Sequence, residues 1–123
     1  MNPGLTKTYV ASGAVTARAL VKAGATDGTM AVATASTDAI LGVAERLDVT
    51  DGERLDVIHT GIAEVSLGGT VTYGAWLTAG ANGTAVAAAP AAGVNAQIVG
   101  RALSAGVSGD IIDVLIILGQ IQG

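Results

Sequence analysis

The chain has 123 residues, carries ten acidic against six basic side chains, and contains no cysteine. The missing cysteines exclude disulfides, thiolate metal sites and cysteine nucleophiles. The basic residues are scattered singly and lack the clustering that binding to nucleic acid requires. Half of the residues are apolar, but there is no phenylalanine and one tryptophan, so the core must consist of small aliphatic side chains. Such a core buries less area per residue than an aromatic one, and we therefore expect the chain to form oligomers.

The first fifteen residues have no strong apolar periodicity, and they are predicted to form an extended arm ahead of a single β domain at 16–123. An extended segment of this kind can bind a partner by adding a strand to the edge of the partner's sheet. The candidate contact residues of the arm are Leu5, Thr6, Lys7, Thr8, Tyr9 and Val10.

Turn signals that contain glycine divide the rest of the chain into short apolar segments. They are Asp27-Gly28, Asp51-Gly52, Gly68-Gly69, Asn82-Gly83 and Ser108-Gly109. Asp-Gly and Asn-Gly pairs favour tight hairpins because these residues tolerate positive φ. A short helix or a turn is expected near 36–39, whereas Pro90 and Gly93 disfavour a long helix over 85–92. The pattern predicts a mostly β fold, a small sandwich or barrel.

Three blocks of the sequence recur in the same order, 55 to 58 residues further on. Residues 20–29 resemble 76–84, residues 40–44 resemble 98–102, and residues 55–58 resemble 112–115. This recurrence predicts an internal duplication into two similar units, about 18–65 and 74–121. Each unit is too small to bury its own apolar face, and we expect the two to pack about a pseudo-twofold axis.

The most apolar segment is Ile111 to Leu118, which after Asp113 is apolar on both faces. It is either a central core strand or a strand covered by another subunit, since an open run of this kind would aggregate. At eight residues it is too short for a membrane-spanning helix. Leu115 and Ile117 on this strand are candidate subunit-interface residues. Trp76 is a third, because large aromatic side chains dominate interface energetics; the alternative is that Trp76 fills the core.

No set of residues in the sequence has the spacing of a catalytic, cofactor or metal site. His59 is the single histidine and is interpreted as structural. The acidic residues within 48–56 lack the ligand spacing of a calcium loop and indicate a solvated hairpin turn. No phosphate-binding glycine motif is present, and neither Lys7 nor Lys22 suits a carrier lysine. We therefore predict a protein that is not an enzyme and binds no cofactor, metal or small-molecule substrate.

A family resemblance adds to this reading. Gly74–Val86 resembles the "G-D-x-V-x-L-x-x-D-G" segment that opens tailed-bacteriophage capsid cement, or head decoration, proteins. Ala96–Leu103, with Ala39–Ala44 as its counterpart, is similar to their "I-V-G-V-A-L" strand, and Ile111–Ile116 is similar to their closing strand. The resemblance spans about 18–118 through generic Gly, Val and Ala patterns. The chain departs from the family at Ala75, where Asp is frequent, and in carrying two copies of the pattern.

The resemblance implies a β-tulip-like domain and a structural virion protein on the outer surface of an expanded icosahedral phage head. Its implied partner is the major capsid protein of the same phage, which such proteins commonly bind as homotrimers. No nucleic acid, membrane or small molecule is implied as a partner. The N-terminus lacks the features of a signal peptide, so synthesis in the bacterial host cytoplasm is expected. The alternative is a fibre, spike or surface-exposed adhesive β module, which would carry more aromatic residues at its loop tips.

Overall fold

The computed structural model describes residues 5–90 and 92–122, in which strands are the dominant element and no α-helix occurs. The ten strands are β1 Thr6–Ala11, β2 Leu20–Ala23, β3 Thr29–Val32, β4 Ile40–Ala44, β5 Arg54–Ile58, β6 Ile62–Ser66, β7 Trp76–Ala79, β8 Ala85–Ala87, β9 Asn95–Ala102 and β10 Ile111–Gln122. A single 3₁₀ turn, Ala81–Gly83, joins β7 to β8 in this part of the chain. The predicted mostly β fold is confirmed.

The turn signals account for most of the connections between these strands. Asp27-Gly28, Asp51-Gly52 and Ser108-Gly109 all lie in turns, as predicted. Asn82-Gly83 lies in the 3₁₀ turn, where both residues have positive φ. Residues 36–37 form a turn and not a helix.

Strands β1 to β5 form a closed barrel in the order β1-β3-β2-β4-β5. Strand β1 pairs antiparallel with β5 over Thr6 to Val10, and its end pairs in parallel with β3. The prediction of an extended arm is therefore wrong for residues 6–11, and residues 1–4 lie outside the described part. Only Tyr9 and Ala11 of this strand pack towards the barrel core, which is too few to give a visible apolar period.

Strands β6 to β10 repeat the same arrangement, with the order β6-β10-β9-β7-β8 and a parallel bridge from Leu67 to Ala85 between the two edges. The repetition extends to single hydrogen bonds. Val15 and Val49 exchange both backbone bonds at 3.0 and 2.9 Å, and Val71 and Gly106 do the same at 2.9 and 3.1 Å. We call residues 6–58 the first unit and residues 62–122 the second unit.

These units begin earlier than the boundaries predicted from the sequence, 18–65 and 74–121. The three matched blocks occupy equivalent strands, β2, β4 and β5 in the first unit and β7, β9 and β10 in the second. Strands β1 and β6 are also equivalent, but their sequences TKTYVA and IAEVS share almost nothing. The repeat of their backbone pairing is therefore invisible in the sequence.

The two units are joined through a shared hydrophobic core. Leu20, Ala33, Ile40 and Val43 of the first unit pack with the buried residues of the second, while the first barrel has a separate small core of its own. Leu20 and Val43 are fully buried, and full burial of such a side chain is worth about 1.5–3 kcal/mol. The contact is bordered by Glu64, whose Oε1 accepts a hydrogen bond from Arg18 Nε at 3.3 Å and forms an ion pair with Arg46, with Nε at 2.8 Å.

Candidate interaction surface

A row of four side chains crosses the outer face of the second unit, perpendicular to its strands. The strand pairing aligns Trp76 on β7 with Arg101 on β9, Arg101 with Leu115 on β10, and Leu115 with Ile62 on β6. The residues that follow these along their strands are buried: Leu77, Ala102, Ile116 and Ala63. Because successive side chains of a strand point to opposite faces, these four face away from the core. We call Trp76, Arg101, Leu115 and Ile62 the outer row.

Trp76 and Arg101 are stacked at one end of the outer row. The guanidinium carbon of Arg101 lies 4.4 Å from the centre of the Trp76 ring, and its Nε donates a hydrogen bond of 3.0 Å to the Gly74 carbonyl oxygen. A cation over an aromatic face at an exposed site is worth about 0.5–1 kcal/mol. The arginine therefore covers part of the indole, which is half-buried and does not fill the core.

Along β10 the outer face is mostly apolar, with the exposed Asp113 as the charged exception between Ile111 and Ile117. Leu115 is 38% exposed, Ile117 40% and Ile62 47%. Contiguous exposed apolar side chains of this kind mark interaction surfaces more often than isolated ones do. Of the interface residues predicted from the sequence, Leu115 belongs with Trp76 to the outer row, and Ile117 lies two residues further along β10. Their role as a subunit interface remains a prediction.

Strand β10 differs from one of the two interpretations of its sequence, that of a central core strand, and covering by another subunit remains a prediction. It lies between β6 and β9 in the sheet, but only Ile112, Val114 and Ile116 are buried. The alternate residues from Ile111 to Ile117 face outwards because, within residues 5–90 and 92–122, no other layer lies over this side of the second unit. A central core strand is thus the wrong description, and the described part of the chain leaves the outer face of β10 uncovered.

The equivalent row of the first unit is largely buried, whereas the outer row is exposed. The pairing aligns Leu20 with Val43, Val43 with Ile58, and Ile58 with Thr6, which corresponds position by position to the outer row. Leu20 and Val43 are fully buried and Ile58 packs against the core shared with the second unit. A pseudo-twofold axis would bury the same row in both units, because such a contact uses one patch twice. The predicted pseudo-twofold packing is therefore wrong, and the units pack head to tail.

The predicted contact residues of the N-terminal segment lie on the first barrel. Leu5 is 59% and Val10 41% exposed, and Thr6, Lys7 and Thr8 are exposed beside them. Thr8 Oγ1 donates to Asp56 Oδ1 at 2.7 Å, and Tyr9 is tied to the barrel through its hydroxyl. These residues form one ordered strand, so a contact through them would use side chains of a rigid surface. Their contact with a capsid remains a prediction.

The acidic residues of 48–56 stabilise local turns. Asp48 accepts from the backbone N–H of Ala17 at 2.7 Å, and Asp51 accepts from that of Gly13 at 2.8 Å. Glu53 accepts from the N–H and hydroxyl of Thr50, and these hydrogen bonds lower the pKa of its carboxyl. Across residues 5–90 and 92–122, no three His, Cys, Asp or Glu side chains are grouped as metal ligands. Within the same ranges, no helix has the length and apolar character needed to cross a membrane.

An open groove of about 460 Å³ lies on the first unit beside β5. Its walls carry Arg46 and Arg54 together with Glu45 and Asp56, so charges of both signs are mixed along it. A small-molecule site is usually a largely apolar, enclosed cavity with a few convergent polar groups. This groove lacks that character, and the outer row is the stronger candidate for a functional surface.

Comparison with known proteins relates the chain to one solved structure in particular. It is similar to the head fiber gp8.5 N base of bacteriophage phi29, with a TM-score of 0.71 and 22% sequence identity. The similarity covers 97% of this chain and 98% of that chain. No family model and no curated protein matches the sequence. At this level of identity, the likeness establishes a shared fold over essentially the whole chain.

Proposed function

We propose that this protein is a structural component of a tailed-phage virion that binds the outer surface of the expanded icosahedral head and stabilises it. The observation that carries the proposal is the likeness of the fold, over nearly the full length of both chains, to the base of a phage head fiber. The sequence resemblance to phage head decoration proteins points to the same location on other grounds. The proposed partner is the major capsid protein of the same phage, and the proposed form is a homotrimer.

The surface of the chain suits a role of this kind. A decoration protein stabilises a shell through many modest contacts, and their repetition over many copies makes the total binding strong. The exposed strand β1 on the first unit and the exposed outer row on the second are separate surfaces. One can therefore face the shell while the other faces a neighbouring subunit. We propose that Leu5, Thr6, Lys7, Thr8 and Val10 face the shell.

A second candidate function is the base of a fibre that projects from the head. It is favoured by the structural neighbour, which is itself the base of a phage head fiber. The two functions differ in their effect on the shell. A cement raises the temperature at which expanded heads open, whereas a fibre base binds the heads without changing that temperature.

The test is co-sedimentation of the purified protein with expanded empty heads of the phage, with unexpanded heads as the control. We expect binding to expanded heads at a fixed stoichiometry, and light scattering of the free protein is expected to give the mass of a trimer. Thermal opening of the loaded heads then separates cement from fibre base. Protein that stays in the supernatant with both kinds of head would refute binding to the head in either form.

The shell-facing surface is tested by a matched pair of substitutions. Val10→Asp places a charge on the exposed face of β1, and Val107→Asp places the same charge at a similarly exposed valine of the second unit. Val10→Asp is expected to weaken co-sedimentation while Val107→Asp does not. Equal binding by both variants would remove β1 from the shell contact and leave head binding itself in place.

A further inference from the structure

We propose that the outer row of the second unit is covered by the first unit of another copy of this chain, in the same head-to-tail arrangement that joins the two units within one chain. The occupant is a second copy because the chain already contains the contact once. The inference rests on the internal repeat and does not depend on binding to a phage head.

The first step is that the two rows are equivalent in backbone geometry. Ala44 N–H donates to the Ala19 carbonyl oxygen at 2.8 Å, and Ala102 N–H donates to that of Ala75 at 2.9 Å. The carbonyl oxygen of Leu20 likewise accepts from Ala33 at 2.8 Å, as that of Trp76 does from Ala88 at 2.8 Å. The covered row of Leu20 and the uncovered row of Trp76 are therefore the same surface of the same fold.

Within one chain, the 3₁₀ turn is one of the parts of the second unit that meet the first unit at this row. The turn lies beside the Leu20 end of the row, because a Cβ added to Gly83 would lie 2.8 Å from Ala19 Cβ and from Val32 Cγ1. The same added atom would lie 3.4 Å from the carbonyl oxygen of Leu20. Gly83 thus sits directly on strands β2 and β3 of the first unit.

The first unit contains an equivalent turn at Gly28, which no side chain of the described residues contacts in the way that Gly83 is contacted. Gly28 is the equivalent of Gly83, with φ of +80° against +76°. In both turns the next residue is a threonine whose hydroxyl donates back across the turn, at 2.6 Å for Thr29 and 2.7 Å for Thr84. Gly28 is exposed, and a Cβ added there would meet nothing within 4 Å. In the described part of the chain, the second unit therefore presents an uncovered row and the first unit an uncovered turn.

Charged residues also distinguish the uncovered row and the uncovered turn from their covered counterparts. The uncovered row has Arg101 where the covered row has Val43, and the uncovered turn has Asp27 where the covered turn has Asn82. The two free surfaces thus differ from their paired counterparts by opposite charges. A contact between copies would bring a positive row to a negative turn, which favours this pairing over others. Contacts that join two different patches close into rings when the rotation permits, so a trimer would form a ring of six similar units.

The sharpest test uses the absence of cysteine in the chain. The variant Ala75→Cys/Gly28→Cys places thiols at the positions equivalent to Ala19 and Gly83. The control Ala75→Cys/Gly52→Cys moves the second thiol to another exposed turn glycine, with φ of +84° and open space around it. We expect covalent multimers in a non-reducing gel for the first variant only. A first variant that stays a single chain, or a control that cross-links equally, would overturn the proposal.

A charge exchange tests the same contact without thiols. Arg101→Glu is expected to weaken self-association by roughly tenfold or more, because it places like charges across the contact. Arg101→Glu/Asp27→Arg is expected to restore most of the lost association. Sedimentation gives the constants, and circular dichroism establishes that each variant is folded. A folded Arg101→Glu variant that associates like the wild type, or an unmodified chain that is monomeric at all concentrations, would contradict the inference.

Discussion

The hydroxyl oxygen of Tyr9 lies 2.6 Å from Nε2 of His59, and Nδ1 of the same ring lies 2.7 Å from the Leu41 carbonyl oxygen. A carbonyl oxygen can only accept, so Nδ1 carries a proton, and in the neutral ring Nε2 accepts from the tyrosine hydroxyl. The ring also meets the Tyr9 ring edge-on at 5.5 Å. His59 thereby ties β1 to β4 and to the end of β5, which agrees with its interpretation as a structural histidine.

This geometry predicts that Tyr9→Phe destabilises the protein. The substitution removes the hydroxyl and leaves Nε2 of a part-buried histidine without its donor, which should lower the free energy of unfolding by about 1 kcal/mol. Tyr73→Phe is the matched control, because Tyr73 is 75% exposed and should change the free energy by less than about 0.5 kcal/mol. Urea unfolding of the two variants at neutral pH measures the difference. Equal stabilities would mean that the Tyr9–His59 bond contributes nothing to closing the barrel.

The fold class was predictable because turn chemistry is local. Asp-Gly and Asn-Gly pairs require little more than the conformational freedom of their own residues, so the positions of the hairpins follow from the sequence. The place of β1 was not predictable in this way. Its pairing partners are 19 and 52 residues away for Val10↔Thr29 and Thr6↔Ile58, and its short inward face gives no local signal.

The candidate surface was predictable only in part. Trp76 and Leu115 stand out by residue type, but Ile62 and Arg101 join them through strand register, which a sequence does not reveal. The head-to-tail packing of the units was also hard to predict, because it follows from which of the two equivalent rows is buried. In the sequence, this difference is visible as Leu20 and Val43 in the buried row against Trp76 and Arg101 in the exposed row.

The contact between the units predicts different effects for two equivalent glycines. Gly83→Ala and Gly28→Ala carry a similar backbone cost, because both residues have φ near +80°. Only the new methyl group at position 83 meets side chains, those of Ala19 and Val32. Overpacking of this kind costs about 1–3 kcal/mol, so Gly83→Ala is expected to be the less stable variant by that amount. Thermal or urea unfolding measures it, and equal losses would show that the inter-unit contact is loose.

Acid is expected to remove a specific contribution of Asp38. The backbone N–H of Thr34 donates to its carboxylate at 2.9 Å, and the ammonium group of Lys22 lies 3.4 Å away. Chiefly through the Thr34 hydrogen bond, with Lys22 adding to it and burial opposing it, the pKa of Asp38 lies below its ordinary value of 3.8. The folded state therefore favours the ionised carboxylate. The resulting stability is complete well above the unfolded pKa and is lost as the pH falls through the folded one.

The corresponding measurement compares Asp38→Asn with the wild type by urea unfolding from pH 7 down to pH 3. The variant is expected to be less stable at pH 7, and the difference should shrink as the pH falls below 3.8. Glu45→Gln, at an exposed acidic residue after β4, serves as the control and should show a smaller difference at pH 7. A difference for Asp38→Asn that is constant over the whole range would mean that its cause is not the charge of the carboxylate.

The position of the single tryptophan makes the outer row observable by fluorescence. Trp76 is half-buried under Arg101, so its indole is in partial contact with water in an isolated chain. Covering the row removes that water, and we expect the emission to shift to shorter wavelength as the protein concentration rises. Leu115→Glu should prevent the shift, because it places a charge at the centre of the row, whereas Leu47→Glu, at a 70% exposed leucine of the first unit, should not. A shift that appears only when expanded heads are added, and that is equal in both variants, would assign the change at Trp76 to the shell and not to a second copy of the chain.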